Sequence, residues 1–386
     1  MRFLIHIPQL IYGGAEKVLV NFANVLVEHE HEVEILETYE KGYLKLQFDE
    51  RVTFNAICSK EYTNKYYASL QDIKSERNLI CKIKKISKLV FSKIVGYRAF
   101  AEKLAAKYYK DKHYDVAINY LEIEDPAFIM HNIDAGKYIQ WIHIDALKLK
   151  TGELDTFIPL YKKMDAVICV AKTARASLCG IYPSLNNNTY VIYNFFDIDN
   201  IKNKAIGTSV YETKSINILS VGRMVEQKGY LRALKVIKRL KGEGYNFTWY
   251  IMGDGGDRQK IEEYIKEHQL EKEVRLLGLK DNPYPYIQQC DLFFLPSLYE
   301  GFPTVTIEAK VLGKPVLATE VSGIHEQLVS GKHGLIVENS EKGIYEGLKY
   351  ILGNPELLKK LSDNSGMNNV LDNEEKYNKL IRIMER

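Results

Sequence analysis

A short apolar strand, a glycine loop, a helix and a second strand open this chain in that order, and the pattern leaves few folds available. Residues 2–7 are a short apolar run, Gly13 and Gly14 make the loop, and Val18, Leu19, Phe22, Val25 and Leu26 then recur at helical spacing. Residues 31–39 return to a strand pattern. Two strands joined through a helix are parallel neighbours, and the crossover is right-handed. Further strands are expected at 52–57, 115–119, 137–144, 166–170 and 190–193. A second alternating series begins near residue 215, with strands at 216–221, 246–252, 274–277, 291–295, 315–319 and 334–337. Helices are expected between them at 230–240, 257–268, 284–290 and 303–312. The expected class is therefore α/β, with two Rossmann-like, doubly wound parallel sheets facing a central cleft. The divisions read as 1–196 for the first domain, 197–214 for a polar linker and 215–365 for the second. A last helix, 366–386, is expected to pack back toward the first domain.

Composition narrows the classes of function. A 386-residue chain that is 46% hydrophobic with a formal net charge of +3 is an ordinary globular protein and too apolar to be disordered. No apolar run approaches the roughly 18 residues of a spanning helix, and the amino terminus reads as a strand rather than a signal segment. Cys58, Cys81, Cys169, Cys179 and Cys290 lie far apart, without the spacing of a zinc site or a disulfide framework. These features lead us to expect a cytoplasmic chain with reduced thiols.

Ligands of such sheets bind beyond the carboxyl ends of the strands, so chemistry should sit in strand-to-helix loops. The stretch from Ser297 to Ala309, SLYEGFPTVTIEA, follows an apolar strand. Glu300 hangs in the loop and Glu308 lies in the helix that follows, with Pro303 expected at its first position. Both carboxylates can accept from sugar or ribose hydroxyls, or Glu300 can simply cap the helix. In Val221-Gly222-Arg223-Met-Val-Glu226-Gln227-Lys228-Gly229, two cations share one loop, suited to a diphosphate or merely to solvent. Gly253-Asp254-Gly255-Gly256 reads most simply as a tight turn. Gly13-Gly14 at the first switch can admit a phosphate or sugar, and His143 in WIHID ends a strand on the opposite side of the cleft.

Together GGAEK, WIHID, VIYNFFD, SVGRMVEQKG, GDG, EGFPTVTIEA and VSGIHE resemble, in order, the retaining nucleotide-sugar glycosyltransferases of family 4, which have the GT-B fold. The resemblance implies roles. Arg223 and Lys228 would grip the donor diphosphate, with Gly14 and Gly222 beside it. Glu308 would bind the ribose, and Glu300 would face the transferred sugar. Gly301, Phe302, Pro303 and Thr304 would line the donor, with backbone amides from Phe302 and Thr304. Gly278 and Leu279 would meet the base, His143 would approach the reacting sugar, and Glu326 is a further candidate. The implied reaction moves a hexose or N-acetylhexosamine from a nucleoside diphosphate, UDP first among them, to a glycan or lipid-linked glycan in cell-surface polysaccharide synthesis. No cofactor or metal is implied. Two alternatives stay open: a silent sugar-nucleotide binder or scaffold partner, and a GT-B-fold epimerase.

One feature lies outside the motifs. From Lys60 to Lys112 there are fourteen basic residues against five acidic ones, a surplus of nine in a nearly neutral chain. The segment reads as one or two helices. Leu79, Ile80, Ile83, Ile86, Leu89, Val90 and Ile94 recur at spacings of three and four, with lysines on other faces. Such a helix either packs on its own domain with its lysines in water or lies on an anionic membrane surface. No nucleic-acid module accompanies the charge, and none is expected as a partner.

Overall fold

The structure, a computed structural model, describes residues 1–386 apart from 12, 149–151, 153, 208–210, 212–214 and 363–367. Its first sheet contains β1 (Arg2–Ile7), β2 (Glu32–Tyr39), β3 (Thr53–Cys58), β4 (His113–Asn119), β5 (Asp134–Ile142), β6 (Ala166–Cys169) and β7 (Thr189–Val191). The second contains β8 (Ile216–Val221), β9 (Phe247–Met252), β10 (Val274–Gly278), β11 (Leu292–Leu295), β12 (Val316–Thr319) and β13 (Gly334–Val337). The strand orders are β3-β2-β1-β4-β5-β6-β7 and β10-β9-β8-β11-β12-β13, and every pairing is parallel. Both orders reverse direction between the first strand and the fourth, at β1/β4 and β8/β11. Connections diverge to opposite faces there, and a crevice opens beyond the strand ends.

Burial explains why these segments are strands. In β9 and β11 every residue is buried, as befits strands covered by helices on both faces. The helix Gly14–Glu28 inserts Leu19, Phe22, Val25 and Leu26 into the first core, and Val18 is buried as well. One polar network is built into that core: His6 lies between Asn119 Oδ1 at 3.1 Å and Thr38 Oγ1 at 2.9 Å. The first core also takes in Phe302 and Ile307 from the second half, so the two halves meet through apolar packing as well as charge.

Several expectations are revised. β5 ends at Ile142, so His143 and Ile144 lie beyond the strand. Pro303 is the N-cap of the helix Thr304–Val311, with ψ of 110°, and not its first residue. The basic segment forms four helices, Lys60–Tyr66, Leu70–Ser75, Leu79–Val95 and Tyr97–Tyr109, because Ser59, Ser69 and Asn78 each cap a new start. Within the polar stretch 197–214, Ile198–Lys204 is helical and buries Ile201 in the core beside the second sheet; 208–210 and 212–214 lie outside the described residues.

The last helix, Asn373–Met384, packs against the first half. Its buried Lys376 donates to the Asn194 carbonyl at 2.8 Å, Asn373 is hydrogen-bonded to the Phe196 backbone, and Tyr377 stacks on His29 with ring centres 3.6 Å apart. Leu358 packs with the second half's core and Val370 with the first, so the chain crosses between the halves twice.

Candidate functional site

The loop after β8 and the loop after β11 flank the second switch point, and their charges meet there. Lys228 Nζ lies 2.6 Å from Glu300 Oε1, which also accepts from Ser297 Oγ at 2.7 Å. Ser297 and Glu300 are buried and Lys228 nearly so. Gly229 lets the loop turn into its helix: its φ is +67°, and a Cβ would stand 2.2 Å from the Pro296 carbonyl oxygen. Glu300 therefore does not cap the helix that follows. Arg223 is exposed at the same loop, close enough for its charge to act on Glu16 of the first half. Burial pushes the Glu16 carboxyl above its ordinary range, and the Arg223 guanidinium opposes that shift.

The backbone beneath these side chains is locked. Gly222 N donates to the Met252 carbonyl and Gly253 N to the Gly278 carbonyl, each at 2.9 Å. Gly253 has φ of +142°, and a Cβ there would stand 2.0 Å from Gly222 O. The GDG cluster is thus a close approach between strand ends β8, β9 and β10, more than the simple turn expected. Leu279, just past β10, is 70% exposed.

The first half closes on this site from above. Gly301 lies against the His143 backbone, where a Cβ would stand 1.9 Å from the carbonyl oxygen. Gly14 faces Thr304, its Cβ position 3.4 Å from Oγ1. His143 Nε2 is buried without a hydrogen-bond partner among the described residues. Burial lowers the ring's pKa to about 3, against a weaker opposing bond with the Tyr120 backbone, so the imidazole is neutral. A neutral, unpartnered ring nitrogen can take a hydroxyl hydrogen bond.

Sequence reasoning overlooked the contacts that join the halves. Lys17, inside GGAEK, places Nζ 2.6 Å from Glu308 Oε1 and 4.6 Å from the centre of the Tyr284 ring. Burial alone would lower the ammonium's pKa, but the Glu308 carboxylate more than offsets this and raises it. Glu326 reaches the other way, accepting from the Lys172 and Thr173 amides at 2.9 and 3.0 Å and from Tyr193 Oη at 2.9 Å. It caps a helix, Lys172–Ile181, whose own N-cap is Ala171 and has no side chain to offer. Phe302 packs on Tyr193, ring centres 5.4 Å apart. Motif content alone marked Lys17, and nothing in the sequence marked Glu308 as its partner.

Among the described residues no group of three or more His, Cys, Asp or Glu is placed to hold a metal ion. The chain does contain one Asp-x-Asp triplet, Asp197-Ile198-Asp199, a spacing that can share a divalent cation. Here Asp197 caps the helix Ile198–Lys204 through the Asn200 amide at 2.9 Å.

Residues 202–381 match the family model "Glycosyl transferases group 1". A curated relative from Campylobacter jejuni, N-acetylgalactosamine-N,N'-diacetylbacillosaminyl-diphospho-undecaprenol 4-alpha-N-acetylgalactosaminyltransferase, is 32% identical over 202 residues, 52% of this chain and 54% of its own length. The chain spans about half the length of this relative and of two archaeal ones, at 48% and 59%. An uncharacterized glycosyltransferase of Haemophilus influenzae is 26% identical over 92% of this chain and 90% of its own. In three dimensions, TarM of S. aureus superposes at a TM-score of 0.75 with 14% identity, covering all of both chains. HepE of Anabaena with UDP and glucose bound superposes at 0.72 with 14% identity, over 100% of this chain and 99% of its own. With both sheets arranged as in these structures, the chain has the GT-B fold, and its residues 202–381 are similar to the glycosyl transferases group 1.

Proposed function

We propose that the protein transfers a hexose or N-acetylhexosamine from a nucleoside diphosphate, UDP foremost, to a hydroxyl of a glycan or lipid-linked glycan, with retention at the anomeric carbon. The observation that carries this reading is the buried Lys228–Glu300 pair at the β8/β11 switch point, with Arg223 in the same loop and the unpartnered His143 Nε2 opposite. As the anomeric C–O bond to the β-phosphate stretches, positive charge spreads over the sugar and negative charge grows on the diphosphate. Lys228 and Arg223 stabilise the latter. The departing phosphate takes the acceptor's proton on the same face, so no separate base is needed. Glu300 is better suited to hold sugar hydroxyls than to attack, because the ammonium and Ser297 already occupy its Oε1. Glu308 would take the ribose, and His143 a sugar hydroxyl. The C. jejuni relative, whose name gives a diphospho-undecaprenol-linked acceptor, supports a lipid-linked acceptor of the surface-polysaccharide type.

A panel of nucleotide sugars scored first by thermal shift and then by product formation tests the proposal. One or a few donors should raise Tm and be consumed, with the product's anomeric configuration matching the donor's. Lys228→Ala and Arg223→Ala should each lower kcat/KM by about 10²-fold or more. Near-normal turnover in both would remove the diphosphate assignment, and donor binding without turnover on any acceptor would favour the silent binder. EDTA should leave the rate unchanged; inhibition would redirect attention to the Asp197–Asp199 triplet.

A further inference from the structure

The helix Leu79–Val95 is inside out. Leu79, Ile83, Ile86, Val90 and Ile94 form one stripe, with Ile80 at its margin, and they are 72, 59, 43, 49, 79 and 68% exposed respectively. The helix's one buried residue is Ser92. Lys85 points inward to Glu76, 2.8 Å away, and Lys88 to the Asn64 carbonyl. Packing on the helices Lys60–Tyr66, Leu70–Ser75 and Tyr97–Tyr109 therefore uses the polar side together with Phe91, whose ring meets Tyr66 and Phe100, and the aliphatic stripe faces solvent. A stripe of adjacent aliphatic side chains left exposed marks an interaction surface.

We propose that this stripe lies in the plane of an anionic lipid bilayer, with Lys82, Lys84 and Lys93 reaching the headgroups around it. Charge selects this occupant. The helix carries five lysines and no acidic residue, so a second copy of the same face would set like charges against like. An anionic bilayer offers hydrocarbon to the stripe and negative charge to its rim at once. At 17 residues the helix is about 25 Å long, enough for an in-plane contact. Among the described residues no helix is long and apolar enough to cross a membrane. Other apolar residues emerge from the carboxyl edge of the first sheet: Leu46 after β2, Ile123 after β4 and Leu147 after β5, all at least 65% exposed. That is the edge carrying His143 and Gly14.

Vesicle co-sedimentation tests this independently of turnover. The full chain should pellet with phosphatidylcholine vesicles containing phosphatidylglycerol as roughly a third of the lipid, and stay in solution with phosphatidylcholine alone. An Ile83→Ser/Val90→Ser/Ile94→Ser variant and a Lys82→Ala/Lys84→Ala/Lys93→Ala variant should each bind about tenfold or more weakly, with unchanged circular dichroism and Tm. No pelleting of the wild type with anionic vesicles, or equal pelleting of the serine variant, overturns the proposal. So does a self-associating wild type that the serine variant renders monomeric, since a second copy then covers the stripe.

Discussion

Lys17 shows how much can rest on one side chain. Glu308 is buried, and its hydrogen-bonded cation comes from the other half of the molecule. Removing that cation leaves a buried carboxylate uncompensated. Lys17→Ala should cost about 1–3 kcal/mol, less than a fully buried pair because the lysine is one-third exposed. Urea denaturation measures the loss, and a raised donor KM should accompany it. Histidine ionisation gives a second prediction. Burial holds His6 neutral down to about 4 and His143 down to about 3. The unfolded chain protonates both near 6.5, so it binds more protons than the folded one between these limits. Stability should therefore fall as the pH drops from about 6.5 toward 4, and a Tm series across that range reads it. A His6→Asn variant should start lower and fall less. By the same reasoning, the pH–rate profile should carry no step near 6.5 from His143.

Regular elements were largely legible in the chain, and contacts between elements were not. β9 and β11 could be recognised because a strand covered on both faces must be apolar throughout. The end of β5 was misplaced by two residues, since Ile142 and Ile144 are equally apolar and only pairing with Cys169 distinguishes them. Arg223, Lys228, Glu300 and Glu308 were marked by their place in strand-to-helix loops. Lys17 and Glu308 lie 291 residues apart, and no periodicity announces that they touch. The apolar spacing of 79–95 was equally visible, but which face meets the protein depends on neighbours that periodicity does not name. Glu326 belongs to the same group. As the external cap of Lys172–Ile181, it should be worth about 0.5–2 kcal/mol. Glu326→Ala should show that loss in denaturant titration, with faster hydrogen exchange at Lys172 to Arg175; unchanged exchange there would mean that the cap is dispensable.

At the scale of the whole molecule, the last helix stabilises a half to which it is not adjacent in sequence. Lys376 is buried against Phe195 and Phe196, and burial lowers its pKa to about 7 against the pull of Asp372 and Glu375. Truncation after Leu361 should uncover this surface together with His29 and His31. The expected result is a lower Tm with hydrogen exchange accelerated in Gly14–Glu28 and little changed in Tyr230–Gly242. Equal acceleration in both helices would show that the tail stabilises the molecule generally. The two chain crossings also have a mechanical consequence. A body held at one point can swing in any direction, whereas one pinned at two points turns only about the line through them. Two such crossings should leave the halves a single opening angle. Lys17–Glu308 and Glu326–Thr173 should then part and meet as one event, and optical probes placed at either contact should relax with the same rate constant.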